Sequence, residues 1–324
     1  MARAIRIHEF GGPDVLRFEE VSLGKPTGGQ ALVRHAAVGL NFIDVYHRTG
    51  LYPLTLPSGI GLEAAGVIEA LGPDVHDLKI GQRVAYAGGP VGAYATERLI
   101  PADQLVAVPD GVDDRTAAAM MLKGMTAEYL LRRTIEVKKG DAILVHAVAG
   151  GVGLILCQWA NALGATVIGT VSTEAKASLA HAHGCHYPIV TATTDFVAKT
   201  RELTGGKGVR VVYDSVGKDT FARSLDCLAP RGLMALFGQS SGPVEPVSPG
   251  LLAAKGSLFL TRPSLMAYNA TRAELVASAG ALMKVIADGK VKIEVNQTYP
   301  LAEAARAHRD LEARKTTGST VLLP

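Results

Sequence analysis

The stretch that decides the fold is AILVHAVAGGVGLILCQWANALGATVIGTVST, residues 142–173. It contains no Asp, Glu, Lys or Arg, although charged residues make up 19% of the chain. It opens with an apolar run typical of a buried strand and turns through Gly150, Gly151 and Gly153. An apolar helical segment and a second strand-like run follow. Strand, glycine turn, helix and strand together form the unit that binds a dinucleotide.

The glycine turn matches two of the three places of the dinucleotide fingerprint G-x-G-x-x-G. Gly150 and Gly153 fill the second and third places, whereas Val148 holds the first. Glycine lets the backbone turn tightly and come close to a ligand, and a helix that begins there offers free N–H groups and a positive dipole end to an anion. We therefore expect Gly150, Gly151, Val152 and Gly153 to bind the phosphates of a dinucleotide.

The same uncharged stretch also allows a transmembrane interpretation, because about 20 apolar residues suffice to span a bilayer. Its glycines and the polar residues His146, Gln158 and Asn161 interrupt the apolar surface that a membrane helix needs. We therefore favour the nucleotide-binding unit and expect no membrane partner.

Length and composition limit the class of protein. At 324 residues the chain exceeds the usual size of one domain, which predicts two. A net charge of +3 without a Lys/Arg-rich run argues against a nucleic-acid partner. No charged segment followed by an apolar one comes after Met1, so we expect no secretory signal and a cytoplasmic location. The widely spaced Cys157, Cys185 and Cys227 predict buried thiols rather than disulfides, with Cys157 in the core.

The chain changes character along its length. Residues 2–109 have the pattern of short strands broken by turns, which predicts an irregular all-β module. Asp113 and Asp114 can cap a helix over residues 116–121, and a second helical pattern runs to Arg133. Six apolar runs then alternate with helical segments, as a parallel doubly wound sheet requires. The predicted strands are 143–146, 167–171, 187–190, 209–213, 233–237 and 257–260, followed by helices 271–287 and 302–314 and strands 293–299 and 320–323.

Motifs along nearly the whole chain resemble the zinc-free, zeta-crystallin-like branch of the medium-chain dehydrogenase/reductase superfamily, whose bacterial members are NADPH:quinone oxidoreductases. The motifs occur in the order found in that family. They are GGPDVL at 11–16, GLNFIDVYHRTGLYP at 39–53, PSGIGLEAAGVIEALG at 57–72, LKGMTAEYLL at 122–131, HAVAGGVG at 146–153, VRVVYDSVG at 209–217, GLMALFGQSSG at 232–242, LTRPSL at 260–265 and LEARKTTGSTVLLP at 311–324.

The resemblance implies an α/β fold, with a Rossmann-type doubly wound parallel sheet inserted in a GroES-like, mostly β catalytic domain. We expect the catalytic domain to comprise residues 1–121 and 266–324, and the NADPH-binding domain to comprise residues 122–265. Zinc enzymes of the superfamily use a cysteine near the start of the NFID segment and a histidine in G-H-E-x-x-G. Asn41 and Leu62 hold those places, and neither side chain can hold a catalytic zinc, so we expect no metal.

The end of the second strand of the sheet predicts NADPH rather than NADH. Enzymes that select NAD usually place an acid there, whose charge would repel the 2′-phosphate of NADPH. Ser172, Thr173 and Lys176 suit that phosphate instead. Glu174 is the exception, and we expect it to lie at the helix start, where the dipole favours it, pointing outward.

The resemblance implies further cofactor contacts. One departure from the family concerns Thr191, which stands with Val190 where relatives commonly have an Asn-Tyr pair, so we expect weaker affinity or a different loop there. The other implied cofactor residues are Lys123, Thr126, Ser215, Phe237, Gly238, Ser240, Thr261, Arg262 and Arg314.

The resemblance also implies a substrate site near the nicotinamide, with catalytic residues in the segment from Asn41 to Tyr52. Tyr46 and Tyr52 offer a flat ring for a quinone and a hydroxyl for its carbonyl. Asn41 and Asp44 can fix the carboxamide, the ribose or those hydroxyls. The alternative is that the two tyrosines only pack between strands.

The predicted reaction is reduction of a quinone by hydride or single-electron transfer from NADPH without a metal. Related zinc-free enzymes reduce the double bond of enals and enones, and the fold alone does not separate the two activities. A non-enzymatic RNA-binding or crystallin-like role is a third, less favoured hypothesis. We expect a homodimer in which residues 257–260 pair edge to edge across a twofold axis.

Overall fold

The structure is a computed structural model that describes residues 1–324. Contacts within the chain divide it into two compact units. Unit 1 comprises Met1–Lys123, Asn269–Ala279 and Ile293–Pro324, and unit 2 comprises Gly124–Tyr268 and Gly280–Lys292.

The chain forms strands and helices that are numbered here in chain order. The strands are β1 Ala2–Ile7, β2 Arg17–Val21, β3 Gln30–Leu40, β4 Ser58–Gly59, β5 Glu63–Leu71, β6 Arg83–Ala87, β7 Glu97–Pro101, β8 Val106–Ala107, β9 Ala142–Val145, β10 Thr166–Val171, β11 Tyr187–Val190, β12 Val209–Asp214, β13 Leu228–Leu236, β14 Phe259–Thr261, β15 Val295–Pro300 and β16 Ser319–Leu323. The helices are α1 Phe42–Thr49, α2 Asp114–Tyr129, α3 Gly151–Ala162, α4 Glu174–Ala182, α5 Phe196–Leu203, α6 Phe221–Ser224, α7 Pro249–Ala254, α8 Leu265–Tyr268, α9 Arg272–Ala287 and α10 Ala304–Glu312.

Unit 2 contains the predicted doubly wound sheet. Its six strands lie in the order β11-β10-β9-β12-β13-β14, and all five neighbouring pairs are parallel. This is the strand order of a dinucleotide-binding fold, with the first strand of the unit, β9, near the centre. Leu144, Ile168 and Val212 from the central strands are buried in one core cluster. The α/β fold class predicted from the sequence is confirmed.

Unit 1 contains two sheets. A seven-stranded sheet has the order β15-β16-β3-β5-β6-β8, with β7 also paired to β3, and a small sheet has the order β2-β1-β4. The expectation of an all-β module before residue 110 was wrong in one place, because α1 follows β3 directly. The Asp44 carboxylate accepts a hydrogen bond from the Asn41 N–H at 2.8 Å, and Gly50 ends the helix at φ 80°. These interactions at the two ends favour a helix over residues 42–49, although the β-branched and aromatic residues between them favour a strand.

Helix α2 corrects a second expectation. It runs without a break from Asp114 to Tyr129 and continues into a π-helical turn, Leu130–Thr134, where two shorter helices were predicted. The Asp113 carboxylate caps it by accepting from the Arg115 and Thr116 N–H groups at 2.9 and 3.0 Å. Gly124 lies inside this helix and does not interrupt it. A Cβ added to Gly124 would lie 2.4 Å from Leu282 Cδ1, so the position leaves no room for a side chain.

Several element boundaries also differ from the prediction: β14 was predicted over residues 257–260 and is observed over Phe259–Thr261, and β15 was predicted over residues 293–299 and is observed over Val295–Pro300. Strand β13 begins at Leu228, before the Pro230-Arg231-Gly232 sequence that has the pattern of a turn, and Arg231 is accommodated within the strand at φ 61°. Helix α10 begins at Ala304, because residues 301–303 form a 3-10 turn. None of the helices combines the length and the apolar content that a bilayer span requires.

Candidate functional site

The glycine turn after β9 leaves the start of α3 open to an anion. Gly150 is the N-cap of α3, and no side chain caps it. The N–H groups of the first helical turn have no acceptor within the helix. A Cβ on Gly153 would lie 2.6 Å from the carbonyl oxygens of Ala147 and Val148, so only glycine allows this close approach of helix and turn. The backbone here has the form that a pyrophosphate needs.

The structure brings most of the unit 2 candidates to one edge of the parallel sheet. They follow the carboxyl ends of strands, and in a doubly wound sheet ligands bind at that edge. Backbone bonds tie neighbouring turns together: Phe237 N–H donates to Asp214 O at 2.9 Å, and Ser240 N–H donates to Ser215 O at 3.1 Å. Arg262, after β14, donates from its guanidinium to Leu236 O at 3.0 Å. Gly238 is buried, and a Cβ there would lie 2.6 Å from Ser215 O, so the close approach of these two turns requires glycine at this position.

The end of β10 carries the groups proposed for a 2′-phosphate. Ser172 and Thr173 are exposed, and Lys176 is half-buried one turn into α4. Thr173 is the N-cap of α4, and its hydroxyl accepts from the Lys176 N–H at 3.3 Å. Glu174 is exposed in the first turn of α4, as expected. Thr191 is exposed after β11 and bonds through its N–H to Val171 O at 3.0 Å.

A buried carboxylate, Glu63, organises the polar groups of unit 1. Its side chain is fully buried and accepts from the Asn41 amide at 2.8 Å, from the Leu122 N–H at 2.8 Å and from the Lys123 ammonium at 3.2 Å. Gly39 makes room for it, since a Cβ there would lie 2.3 Å from a Glu63 carboxylate oxygen. Asn41 and Lys123, both predicted site residues, are therefore fixed by one carboxylate that the sequence analysis did not single out.

Asp44 lies beside this cluster and is fully buried. One carboxylate oxygen, Oδ2, accepts from the Asn41 N–H and from the Tyr94 hydroxyl, both at 2.8 Å, while Oδ1 is buried without a partner. Burial raises the pKa of Asp44 to about 7, against the opposing effect of these two hydrogen bonds and of Lys123. The sequence analysis offered Asp44 as a partner for the hydroxyls of Tyr46 and Tyr52, whereas in the structure the tyrosine hydroxyl that donates to Asp44 is that of Tyr94.

Tyr46 and Tyr52 form an aromatic pair at the end of α1. Their ring centroids are 5.1 Å apart with an interplanar angle of 66°, and Phe42 extends the cluster at 5.5 Å from Tyr46. Tyr46 is buried, whereas Tyr52 is half-buried. An edge-to-face pair of this kind holds each ring in place and leaves part of the Tyr52 surface accessible.

The remaining candidates are more scattered. Thr126 is buried within α2, Thr261 ends β14, and Arg314 is exposed on the turn after α10 with φ 58°. Glu63 and Tyr94 are the important residues that sequence reasoning missed. A signal for Glu63 exists, because it is the one charged residue in the apolar run 59–68. Tyr94 has no comparable signal, because its partners come from distant parts of the chain.

Two family models match the chain: the alcohol dehydrogenase GroES-like domain over residues 27–110, and the zinc-binding dehydrogenase over residues 151–285. The fold and these matches define a medium-chain dehydrogenase/reductase. A quinone oxidoreductase of Pseudomonas aeruginosa is 53% identical over the whole of both chains. The crystal structure of Escherichia coli quinone oxidoreductase complexed with NADPH superposes with a TM-score of 0.98 at 50% identity over all of both chains. The chain belongs to the quinone oxidoreductase family.

A second type of relative has a different substrate in its name. The 2-haloacrylate reductase of a Burkholderia species is 50% identical, with 100% of this chain and 99% of that protein covered. Membership of this family therefore does not by itself show which electron acceptor the protein uses.

The zinc named in the second family model does not fit the residues present. Asn41 presents an amide that is already bonded to Glu63, and Leu62 is a buried aliphatic side chain. The structure contains no group of three or more His, Cys, Asp and Glu side chains that could hold a metal ion. No part of the proposed chemistry is therefore assigned to zinc.

Proposed function

We propose that this chain catalyses the NADPH-dependent reduction of quinones without a metal ion. The observation that carries the proposal is the full-length likeness to a quinone oxidoreductase complexed with NADPH, at a TM-score of 0.98. When bound, NADPH supplies the hydride. The chain itself supplies binding, orientation and exclusion of water, which suffices because a quinone needs little electrophilic help.

Unit 2 would hold the cofactor. The open N-terminus of α3, with Gly150, Gly151, Val152 and Gly153, would bind the pyrophosphate. Ser172, Thr173 and Lys176 would bind the 2′-phosphate. The edge formed by Ser215, Phe237, Gly238, Ser240, Thr261 and Arg262 would line the rest of the dinucleotide in unit 2, together with Thr126 and Thr191. Lys123 and Arg314 are the two remaining residues that the family resemblance implies for cofactor binding.

The preference for NADPH gives a direct prediction for Lys176. Replacing it by alanine removes a charged partner of the 2′-phosphate, so KM for NADPH should rise by the equivalent of about 1 to 3 kcal/mol. NADH kinetics should stay nearly unchanged. Lys199→Ala, which removes a lysine bonded to Glu202 on α5, is the charge-matched control. Equal affinity of the wild-type protein for NADH and NADPH would contradict the assignment.

Unit 1 would hold the acceptor. Asn41, fixed by Glu63, would orient the cofactor or the substrate, and Asp44 would fix the backbone that carries Asn41. The rings of Tyr46 and Tyr52 would provide a flat apolar surface for the quinone, with a hydroxyl to hold its carbonyl. The reduced oxygen can take its proton from water, so no side chain is required as an acid.

This division of roles predicts moderate effects at the tyrosines. Tyr46→Phe and Tyr52→Phe should each lower kcat/KM no more than about tenfold to a hundredfold, or roughly 1.4 to 2.7 kcal/mol, because each removes one hydroxyl and leaves the ring pair. The measurement is the rate of each variant with one quinone at saturating NADPH. A loss of about four orders of magnitude in Tyr52→Phe, with NADPH binding intact, would identify a true general acid and an acceptor harder to reduce.

Metal independence supplies the experiment that tests the proposal as a whole. The purified protein should contain no stoichiometric zinc, and quinone-dependent NADPH oxidation should persist after exhaustive dialysis against a chelator. Asn41 and Leu62 are the reason, since neither is a zinc ligand. Loss of activity on chelation that zinc restores would refute the proposal.

The alternative function is reduction of an activated carbon–carbon double bond with the same cofactor. The observation that favours it is the 2-haloacrylate reductase relative at 50% identity. A double bond needs a proton at carbon as well as a hydride, so an enzyme of that type depends more on a positioned donor. Comparison of kcat/KM for 1,4-benzoquinone with kcat/KM for a 2-haloacrylate separates the two functions.

We also propose a homodimer located in the cytoplasm. Strand β14 lies at the edge of the six-stranded sheet, and Phe259 on it is 60% exposed. An exposed apolar edge strand can pair with its copy across a twofold axis. All three cysteines are buried and free, which suits a reducing compartment. Sedimentation equilibrium of the wild-type protein and of Phe259→Lys would test the dimer.

A further inference from the structure

A buried chain of hydrogen bonds in unit 1 leads to Asp44 and has no part in the function proposed above. The Tyr94 hydroxyl, which donates to Asp44 Oδ2, lies 3.1 Å from His308 Nε2. His308 Nδ1 lies 3.1 Å from the Arg48 guanidinium. Arg48 is bonded to both carboxylate oxygens of Glu312, at 2.9 and 2.8 Å. Arg48 is 1% exposed, and Tyr94, His308 and Asp44 are fully buried.

The chemistry of Arg48 fixes the direction of every bond in this chain. A guanidinium only donates, so Nδ1 of His308 must be the acceptor. Burial and, to a smaller extent, the charge of Arg48 lower the pKa of His308 to about 3, so the ring is neutral and carries its proton on Nε2. Nε2–H then donates to the Tyr94 oxygen, which leaves the Tyr94 proton free to point at Asp44. The chain therefore delivers a donor to the carboxylate.

The pKa of Asp44 depends on the hydrogen bond that Tyr94 donates, because this bond favours the charged carboxylate. Its surroundings include Lys123, which favours the charged form, and Glu63, which opposes it. A carboxylate accepts both the Asn41 N–H and the Tyr94 O–H as charge-assisted bonds, which are about twice as strong as neutral ones. A proton added to Oδ1 would have no acceptor, and one added to Oδ2 would displace a donor. Protonation of Asp44 therefore weakens the hold on Asn41 and on the first turn of α1.

We propose that Tyr94 and His308 are positioning residues, which keep Asp44 ionised and so hold Asn41 and Tyr46 in place for the reaction. This inference rests on the proposed function, because Asn41 and Tyr46 matter only if they contact the cofactor or the quinone. Neither Tyr94 nor His308 touches a reacting atom. Their effect passes through Asp44, which loses its charge as the pH falls through its pKa of about 7.

The test compares two buried tyrosines that each bond to a histidine. Tyr94→Phe removes the donor to Asp44, whereas Tyr86→Phe removes a hydroxyl that lies 3.0 Å from His35 Nε2 and does not touch Asp44. We expect the acid limb of the kcat/KM profile with NADPH and 1,4-benzoquinone to move up by about one pH unit in Tyr94→Phe, a tenfold change in proton affinity. The acid limb should not move in Tyr86→Phe, and the profile of Asp44→Asn should have no acid limb.

An independent readout keeps the inference testable if Tyr94→Phe folds poorly. The carboxylic C=O infrared band that is absent in Asp44→Asn reports protonation of Asp44 in the wild-type protein directly. Its midpoint should coincide with the acid limb of the wild-type profile, and a separation of more than about one pH unit would overturn the inference. So would an unchanged acid limb in Tyr94→Phe or an equal shift in Tyr86→Phe. Failure of the proposed function looks different, because the wild-type protein would then show no quinone-dependent NADPH oxidation at any pH.

Discussion

Glu63→Ala should lower the free energy of unfolding by about 3 to 5 kcal/mol, because it breaks a buried ion pair and leaves its partner charge uncompensated. The carboxylate is the acceptor for the Lys123 ammonium at 3.2 Å, and Lys123 is 5% exposed. The Asn41 amide and the Leu122 N–H lose the same acceptor. Urea denaturation at pH 7 measures the change in unfolding free energy.

Two further variants separate the charge effect from simple loss of volume. In Glu63→Ala/Lys123→Met the unpaired ammonium is gone, so part of the lost stability should return. Glu202→Ala removes the partner of Lys199 in an exposed pair, 66% and 38% accessible, and should change stability by less than about 1 kcal/mol. A Glu63→Ala protein as stable as Glu202→Ala would show that Glu63 does not hold the unit 1 cluster together.

Gly153→Ala should lower both stability and cofactor affinity. The new Cβ would lie 2.6 Å from the carbonyl oxygens of Ala147 and Val148, which are backbone atoms and cannot rotate away. Relief requires α3 to move from the turn, at about 1 to 3 kcal/mol of overpacking strain. Because the start of α3 would bind the pyrophosphate, we expect the NADPH dissociation constant to rise roughly tenfold or more, as fluorescence titration can measure.

A glycine elsewhere supplies the matched control. Gly280 lies in α9, also in unit 2, and a Cβ there would meet nothing within 4 Å. Gly280→Ala should therefore raise stability by roughly 0.5 to 1 kcal/mol, the usual helix preference for alanine, and leave NADPH binding unchanged. If Gly153→Ala behaved like Gly280→Ala in both measurements, the close contact at the turn would be without importance for the cofactor.

The sheet of unit 2 could be predicted from the sequence because its information is local. Central parallel strands are buried on both faces and appear as continuous apolar runs, so β9, β10 and β12 were predicted to within about one residue at each end. The elements of unit 1 were harder. Helix α1 depends on a capping interaction between Asn41 and Asp44, and the glycine at position 124 inside α2 is explained only by Leu282, which comes from another part of the chain. Such contacts leave no periodic pattern.

The same contrast applies to the candidate site. The glycine turn and the Ser172–Lys176 segment follow from local sequence. The partners of Asp44 do not, because Tyr94 and His308 are separated by more than 200 residues and meet only in the folded unit. Glu63 could have been noticed as an isolated charge in an apolar strand, but its three donors could not. The sequence thus predicts where the ligands bind more readily than what holds the binding residues in place.

The measurement that tests the central claim most directly compares electron acceptors. Chelator-dialysed protein, at one saturating concentration of NADPH, is assayed with 1,4-benzoquinone, with an alkenal and with a 2-haloacrylate by the loss of NADPH absorbance. Reduction that depends on positioning alone predicts a higher kcat/KM for the quinone than for either activated alkene. Faster turnover of the 2-haloacrylate or the alkenal, or no quinone-dependent oxidation above the uncatalysed rate, would contradict the account.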